Sequence, residues 1–165
     1  MKNQSVLFFV IAVVFMITGC HLKAKKAKIY HDNILQSVQD VIDASLDYGD
    51  AIQSHDKNRA ATGYTHYSQL VNNAITKIRT TGDFEGDTSF QHYSLEMLGF
   101  YKTSLEQNFR PLLDSLQQEG FSEKEGQKAD SLYSAMTMME SQYWERFNWA
   151  ERKFSKQYEI EKVEK

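Results

Sequence analysis

The fold of this chain is decided by the stretch HDNILQSVQDVIDASLDYGDAI, residues 31–52. One set of its residues recurs at alternating spacings of three and four: His31, Ile34, Val38, Val41, Ser45, Tyr48 and Ile52. A period near 3.6 residues places this set on one face of an α-helix, as a stripe that packs against other helices. We expect Leu35, Ile42 and Leu46 to widen the stripe, in a helix that spans residues 25–55.

Helical periodicity also marks three later segments. The second stripe is Ala60, Tyr64, Tyr67, Val71, Ala74 and Ile78; the third is Phe90, Met97, Tyr101, Leu105, Phe109, Leu112 and Leu116; the fourth is Ala129, Leu132, Met136, Met139, Tyr143, Phe147, Ala150, Phe154 and Tyr158. Four amphipathic helices joined by short polar links predict an all-α fold. We expect an antiparallel four-helix bundle with coiled-coil packing, as a single domain over residues 29–160.

The ends of these helices carry sequence signals. Residues 82–87, Gly-Asp-Phe-Glu-Gly-Asp, break the helical period and predict a loop. Thr88 with Gln91, and Ser122 with Glu125, have the spacing of capping boxes, which satisfy free backbone N–H groups at a helix start. Pro111 lacks a backbone N–H and lies inside the third stripe, so we expect a kink at residues 107–111 or two collinear pieces.

The predicted core is rich in tyrosine and methionine. A tyrosine on a bundle seam usually points its hydroxyl group toward an end or an edge, so we expect polar rims around the core. Methionine fills irregular gaps because its side chain is flexible. We therefore interpret Met136, Met138 and Met139 as core filling.

The start of the chain has the layout of a bacterial secretory signal. A basic residue precedes twelve apolar residues at positions 6–17, which end in the lipobox Ile17, Thr18, Gly19 and Cys20. A twelve-residue helix is about 18 Å long, too short for a hydrocarbon core of about 30 Å. We expect residues 1–19 to be a lipoprotein signal peptide and Cys20 to receive a covalent diacylglyceryl and palmitate lipid. The alternative is an ordinary secretory signal with a chance cysteine.

A lipid on Cys20 predicts where the mature chain resides. We expect the extracytoplasmic side of the bacterial cell envelope, and His21 in place of an aspartate favours the outer membrane over the inner. Residues 20–28 form a basic tether that contains Lys23, Lys25, Lys26 and Lys28. Each lysine contributes about 1 kcal/mol beside an anionic bilayer; alternatively these lysines only keep the tether solvated. We expect residues 161–165 to be a frayed tail.

Charge and motifs exclude several classes of function. Residues 29–165 hold 14 Lys and Arg against 22 Asp and Glu, so nucleic acid is not an expected partner. The Glu-x-x-His pairs of di-iron bundles, the Gly-x-Ser-x-Gly motif and a glycine-rich phosphate loop are all missing from the sequence. Cys20 is the only cysteine, and with its thiol acylated we expect neither a disulfide nor a thiolate site in the mature chain. We expect no enzymatic activity and no cofactor beyond the covalent lipid.

Four aspartates on the first helix form one candidate partner-binding surface. Their spacings of three, four and three place Asp40, Asp43, Asp47 and Asp50 in one line. The line is interpreted either as a docking surface for a basic partner or divalent cations, or as a solvated face that nearby lysines neutralise.

The loop before the third helix contains weak candidate metal ligands, Asp83, Glu85 and Asp87. A full EF-hand loop has glycine at its sixth position and glutamate at its twelfth, whereas here the glycine is fourth and Ser94 is twelfth. The alternative interpretation is structural: the glycines turn the chain, Asp87 and Thr88 cap the next helix, and Phe84 pins the loop to the bundle.

The densest aromatic stretch is YWERFNWAERKF, residues 143–154. Helical geometry places Trp144 and Trp149 on opposite flanks of the apolar stripe. One of them would then be partly exposed and anchor a protein or glycan partner. Boundary packing against a neighbouring helix is the alternative for both.

Three segments resemble an uncharacterised family of bacterial helical lipoproteins. They are IYHDNILQSVQ at residues 29–39, the loop at 82–87, and the closing pattern Phe147-x-x-Ala-x-x-x-Phe-Ser-x-x-Tyr158. The start here is Tyr-His-Asp, where the family tends to have Tyr-Asn-Asp. The resemblance implies a surface or periplasmic lipoprotein of unknown role, with no residues assigned to chemistry.

These observations favour a lipid-anchored envelope protein that acts as a non-catalytic binding or scaffolding module, with an envelope protein as its partner. The alternative is a lipoprotein that binds a small ligand or divalent cation in a pocket between the helices. Such a pocket would take polar groups from Tyr64, Tyr67, His66 and His92. A third class, an enzyme, would need a carboxylate pair with shifted pKa values in a cleft.

Overall fold

A computed structural model describes the backbone of residues 2–119 and 122–160, and the side chains of residues 22–117 and 122–160. The helices are α1 (Lys2–Gln53), α2 (Lys57–Thr81), α3 (Ser89–Ser104), α4 (Arg110–Glu119) and α5 (Glu123–Gln157). A π-helical turn, Leu105–Phe109, joins α3 to α4. Within these ranges there is no β-strand, and an isolated antiparallel bridge pairs Phe84 with Asp87. The all-α prediction is therefore confirmed.

Contacts at the proximal end of the bundle, nearest residue 22, show how the helices are oriented. The ring centroid of Tyr30, on α1, lies 6.4 Å from that of Phe90 at the start of α3. It lies 5.4 Å from that of Phe154 near the end of α5. The Tyr30 hydroxyl donates to the backbone carbonyl of Gly82, directly after α2, at 3.0 Å. Helix α2 and helix α5 therefore end at the level where α3 begins.

The opposite, distal end of the bundle has the complementary arrangement. Tyr48, near the end of α1, lies 6.0 Å from Tyr64 in the first half of α2, measured between ring centroids. It lies 5.5 Å from Phe109, the last residue of the π-helical turn. Phe109 in turn lies 4.9 Å from Tyr133, in the first part of α5. Helix α1, helix α2, the continuous α3–α4 helix and helix α5 thus run antiparallel in turn, which is the four-helix bundle that the sequence predicts.

The predicted stripes form the core, with a few corrections. All seven residues of the α1 stripe and all seven of the third stripe are buried. The prediction for Leu46 was wrong: it is 65% exposed, because it lies about 120° around the helix from the stripe. The methionine prediction holds only for Met136, since Met138 is 76% exposed and Met139 is 46% exposed. Two residues turn a helix by about 200°, which places Met138 opposite Met136.

One of the two predicted capping boxes is present. Ser122 caps α5: its hydroxyl oxygen accepts from the backbone N–H of Glu125 at 3.5 Å, and the same hydroxyl donates to the Glu125 carboxylate. Thr88 makes no side-chain cap hydrogen bond, so the box with Gln91 was a wrong prediction. Asp87 takes this role, since its carboxylate accepts from the backbone N–H two residues later at 2.9 Å.

The π-helical turn lies where the proline was expected to disturb the third helix. The backbone N–H of Arg110 donates to the carbonyl of Leu105, five residues earlier, instead of four as in an α-helix. Pro111 has no N–H, so the carbonyl of Gln107 lacks the donor that an α-helix would supply. The helix resumes as α4, and the two-piece prediction is confirmed.

The basic tether is part of a helix. Helix α1 continues through residues 22–28 into the bundle, and Ala27 has no exposed surface. The Lys23 ammonium lies 2.5 Å from the Glu85 carboxylate and 5.3 Å from the ring centroid of Tyr158. The boundary expected at residue 29 is therefore not a structural break.

Two sequence predictions lie outside the described side chains. These are the signal peptide with its lipobox (Ile17, Thr18, Gly19 and Cys20) and the tail at residues 161–165. Among the residues whose side chains are described, no helix is both long enough and apolar enough to cross a membrane.

Two helical glycines provide a matched test of the packing. A Cβ atom at Gly126 in α5 would meet no atom within 4 Å, whereas at Gly49 in α1 it would lie 3.1 Å from the hydroxyl oxygen of Tyr133. We predict that Gly126→Ala raises the free energy of unfolding by about 0.5–1 kcal/mol, because alanine loses less backbone entropy on folding. Gly49→Ala should lower it, because the Tyr133 ring must move.

Urea denaturation of the full-length chain in detergent measures both changes. Equal stabilisation by the two substitutions would contradict the close packing of Tyr133 on α1.

Candidate partner-binding surfaces and a buried tyrosine layer

Helices α3 and α5 lie side by side and form a ladder of cross-helix contacts, which we call the α3–α5 face. Its pairs are Ser89 with Lys153, Tyr93 with Trp149, Glu96 with Arg146, and Phe100 with Tyr143. Polar and aromatic pairs alternate along the ladder. The face therefore combines the two kinds of group that protein interfaces use.

The structure distinguishes the two candidate tryptophans. Trp149 is 50% exposed, its ring stands edge-to-face against Tyr93 at 5.8 Å, and the Lys153 ammonium lies 5.5 Å from its centroid. Trp144 is partly buried and packs against Phe147 and the core. Trp149 thus has the exposure that an interface anchor needs, while Trp144 has the boundary packing of the alternative interpretation.

A groove of about 590 Å³ lies between the two helices at the distal part of this face. Its lining residues are Glu96, Gly99, Phe100, Thr103, Ser104, Gln107, Asn108, Met139, Tyr143 and Arg146. The volume is in the range of small-molecule sites, roughly 300–1,000 Å³. Both faces of the Tyr143 ring have neighbours, since Phe100 stacks at 4.7 Å and the Arg146 guanidinium lies at 4.8 Å. The groove therefore offers hydroxyl and amide groups rather than a free aromatic face.

The pocket predicted from four polar side chains is not formed. Tyr67 is buried in the core with no exposed surface, while His66 is exposed on the outer side of α2. His92 lies at the proximal end, 3.5 Å from the Glu96 carboxylate. The hydroxyl of Tyr64 faces Arg110 at the distal end, whose guanidinium lies 5.5 Å from the Tyr64 ring centroid. These groups therefore do not converge.

The line of aspartates on α1 is exposed along its whole length, about 15 Å. The side-chain amides of Gln36 and Gln39 donate to Asp40 and Asp43, at 2.6 and 2.8 Å. The lysine and arginine ion pairs found among the described side chains involve other carboxylates than those of Asp40, Asp43, Asp47 and Asp50. The neutralising lysines of the alternative interpretation are thus not found in the described part of the chain, and the aspartate carboxylates face solvent.

The carboxylates of the loop before α3 hold the loop in shape, cap α3 and attach the loop to α1. The Asp83 carboxylate accepts from the backbone N–H of Gly86 at 2.7 Å, and Asp87 caps α3. Glu85 pairs with Lys23. Among the described residues, no three His, Cys, Asp or Glu side chains are grouped as a metal site requires.

Phe84 pins this loop to the bundle, as the structural interpretation predicts. Its ring centroid lies 5.3 Å from Tyr30, 5.7 Å from Phe154 and 5.0 Å from Tyr158. The Tyr158 hydroxyl also donates to the backbone carbonyl of Phe84 at 3.3 Å. At this end the tyrosine hydroxyls therefore reach the rim of the core, as expected.

A buried histidine contact was not predicted. His31 is 6% exposed, with Nδ1 3.1 Å from the Asp32 carboxylate and Nε2 2.9 Å from the Glu151 carboxylate. Its ring stacks on Phe90 and Phe154. Each ring nitrogen of His31 therefore faces one carboxylate. The only signal in the sequence is a histidine that occupies an apolar stripe position.

Four tyrosines form a polar layer inside the distal half of the bundle, which we call the tyrosine layer: Tyr48, Tyr67, Tyr101 and Tyr133. Tyr101 donates to the Glu140 carboxylate. The hydroxyl oxygens of the other three are buried and have no hydrogen-bond partner among the described protein atoms. At this end the hydroxyls lie inside the bundle and not at its rim, so the expectation of polar rims was wrong here. A buried hydroxyl without a partner costs about 1–3 kcal/mol.

Burial raises the pKa of all four tyrosines of the layer above the ordinary value of 10.0. For Tyr101, the hydrogen bond to Glu140 raises the pKa further. At the proximal end, burial and then the charge of Asp83 raise the pKa of Tyr30 to about 12. In each case the fold favours the neutral hydroxyl.

These directions predict how stability depends on alkaline pH. The pKa of each of these tyrosines is higher in the folded state than in the unfolded state, where it lies near 10. Their contribution to the free energy of unfolding is therefore complete below pH 10, and it is lost as the pH rises through the folded pKa values. We predict that these five tyrosines ionise together with unfolding above pH 10. Tyrosinate absorbance and far-ultraviolet circular dichroism, recorded in one titration, measure both events.

In concentrated urea all tyrosines should ionise near pH 10. Full ionisation near pH 10 in the native chain, with unchanged helix content, would contradict the burial of the layer.

Comparison of the chain with protein-family models, with curated proteins and with solved structures found no match. The resemblance to helical lipoproteins therefore stays a prediction from the sequence.

Proposed function

We propose that this chain is a lipid-anchored, non-catalytic binding or scaffolding module of the bacterial cell envelope. The lipobox that ends at Cys20 supports the anchor, and the signal segment supports an extracytoplasmic location, with the outer membrane favoured over the inner. The envelope partner is a protein that binds the α3–α5 face.

One observation carries this proposal: Trp149 is half exposed although it lies beside a well-packed core. Tryptophan is enriched among the residues that dominate binding energy, and such residues are often surrounded by contacts that exclude water. Tyr93 and Lys153 hold the indole ring from two directions, so little side-chain entropy is lost when a partner covers it.

The distribution of charge along α1 supports a scaffolding role. Helix α1 carries its lysines at the proximal end, next to Cys20, and its four exposed aspartates further along. An anionic bilayer attracts the first group and repels the second. This distribution favours a bundle that presents its side faces, rather than its proximal end, to other envelope components.

A second candidate function is the binding of a small ligand in the groove of the α3–α5 face. Its volume of about 590 Å³ and its hydroxyl and amide lining favour this alternative. A cation in the same role has less support, because the described residues contain no group of three metal-ligating side chains.

The test of the main proposal is a cross-linking pull-down of the full-length chain from intact cells. We predict one stoichiometric envelope protein whose recovery falls at least tenfold in Trp149→Ala, because the indole supplies the buried contact. Leu46→Ala is the matched control: it also removes an exposed apolar side chain, but from α1. It should leave recovery unchanged.

A Cys20→Ser variant separates the anchor from the binding surface. We expect this variant to leave the membrane fraction and to lose incorporation of labelled palmitate. Equal recovery of the partner from Trp149→Ala and Leu46→Ala would refute the role of the α3–α5 face. Recovery of no protein above background, with a small molecule retained by the purified chain, would favour the second candidate.

A further inference from the structure

We infer that the tyrosine layer holds ordered water, bound by the hydroxyl groups of Tyr48, Tyr67 and Tyr133 inside the bundle. Tyr48 and Tyr67 have no exposed surface. All three hydroxyl oxygens are buried without a partner among the described protein atoms. The large majority of buried polar side-chain atoms in native proteins are hydrogen-bonded, and ordered water often supplies the bond where the protein does not.

The neighbouring polar groups do not satisfy these hydroxyls. Ser45 is buried and lies near Tyr67. It lowers the Tyr67 pKa, against the larger rise that burial causes. The Tyr67 hydroxyl nevertheless has no partner within hydrogen-bond geometry. The Glu140 carboxylate already accepts from Tyr101. A hydroxyl hydrogen rotates freely, but the oxygen cannot move while its ring is packed.

The rings are held in place by close contacts. Tyr48 stands edge-to-face against Phe109, with ring centroids 5.5 Å apart, and Tyr133 lies against the same phenylalanine at 4.9 Å. The Tyr133 hydroxyl oxygen also abuts Gly49, at 3.1 Å from the position of a Cβ. The oxygen atoms therefore cannot swing toward a distant protein acceptor.

The rings that carry the three hydroxyls are close neighbours. The ring centroids of Tyr48 and Tyr67 are 6.2 Å apart. Tyr48 and Tyr133 pack against the same ring, that of Phe109, at 5.5 and 4.9 Å between centroids. Water commonly bridges buried polar groups that are too far apart for a direct hydrogen bond, and each phenol can both donate to it and accept from it.

The packing favours water over a larger ligand. A Cβ at Gly63 would lie 3.3 Å from the Tyr48 ring, and the comparable distance at Gly49 is 3.1 Å. These spacings show that α1 packs closely against its neighbours at Gly49 and Gly63. A single water needs only about 10–15 Å³ of accessible space. The groove of the α3–α5 face is lined by other residues and opens to the surface.

The experiment is urea denaturation of Tyr48→Phe, Tyr67→Phe and Tyr133→Phe in the full-length chain in detergent. If water binds the hydroxyls, each substitution removes a hydrogen bond and should lower the urea midpoint. Tyr93→Phe is the matched control, because Tyr93 is partly exposed and its hydroxyl is not one of the buried hydroxyls that lack a partner. It should leave the midpoint unchanged.

The sign of the change decides the question. A higher midpoint in Tyr48→Phe and Tyr67→Phe would overturn the inference, because removing a dry, unpartnered hydroxyl stabilises the fold. A crystal structure of the unsubstituted chain provides an independent check. Water density within hydrogen-bond distance of at least two of the three oxygens supports the inference; a dry site, or density for an organic molecule, overturns it.

Discussion

The edge-to-face contact between Tyr48 and Phe109 is the interaction on which the distal half of the bundle depends. The two rings have centroids 5.5 Å apart and planes at 87°. Phe109 ends the π-helical turn, which lies where Pro111 withholds a backbone donor. The turn changes the direction in which side chains leave the helix, and Phe109 meets both Tyr48 on α1 and Tyr133 on α5. The missing N–H of Pro111 is thus linked, through Phe109, to the packing of α1, the α3–α4 helix and α5.

The interior and the surface carry different kinds of polar chemistry. The tyrosine layer and the His31 contact are enclosed, so they contribute to the stability and register of the bundle. The α3–α5 face and the aspartates of α1 are exposed, so a partner can reach them without any change in the core. Substitutions at Trp149 should therefore affect binding without affecting folding. This separation is what a module that presents a rigid surface requires, because little entropy is lost on association.

Much of the fold could be predicted from the sequence, because helical periodicity is a local property. The stripes of α1 and of the α3–α4 helix and the Ser122 cap follow from residue spacing, and the break near Pro111 follows from the missing N–H of proline. Leu46 and Met138 are apolar, but their angular positions around the helix lie outside the buried stripes, and position decides burial. The direction of the tyrosine hydroxyls could not be predicted, because it depends on contacts between α1, α3 and α5 that are distant in sequence. The four polar side chains expected to form a pocket failed to meet for the same reason.

The most direct test of the central claim is site-specific photo-crosslinking in living bacterial cells. A photoreactive phenylalanine analogue would replace Trp149 in one variant and Leu46 in the other, since both positions are exposed on different faces. The account predicts a single discrete adduct with an envelope protein from position 149 and none from position 46. No adduct at position 149, or the same adducts from both positions, would contradict the assignment of the α3–α5 face as the binding surface.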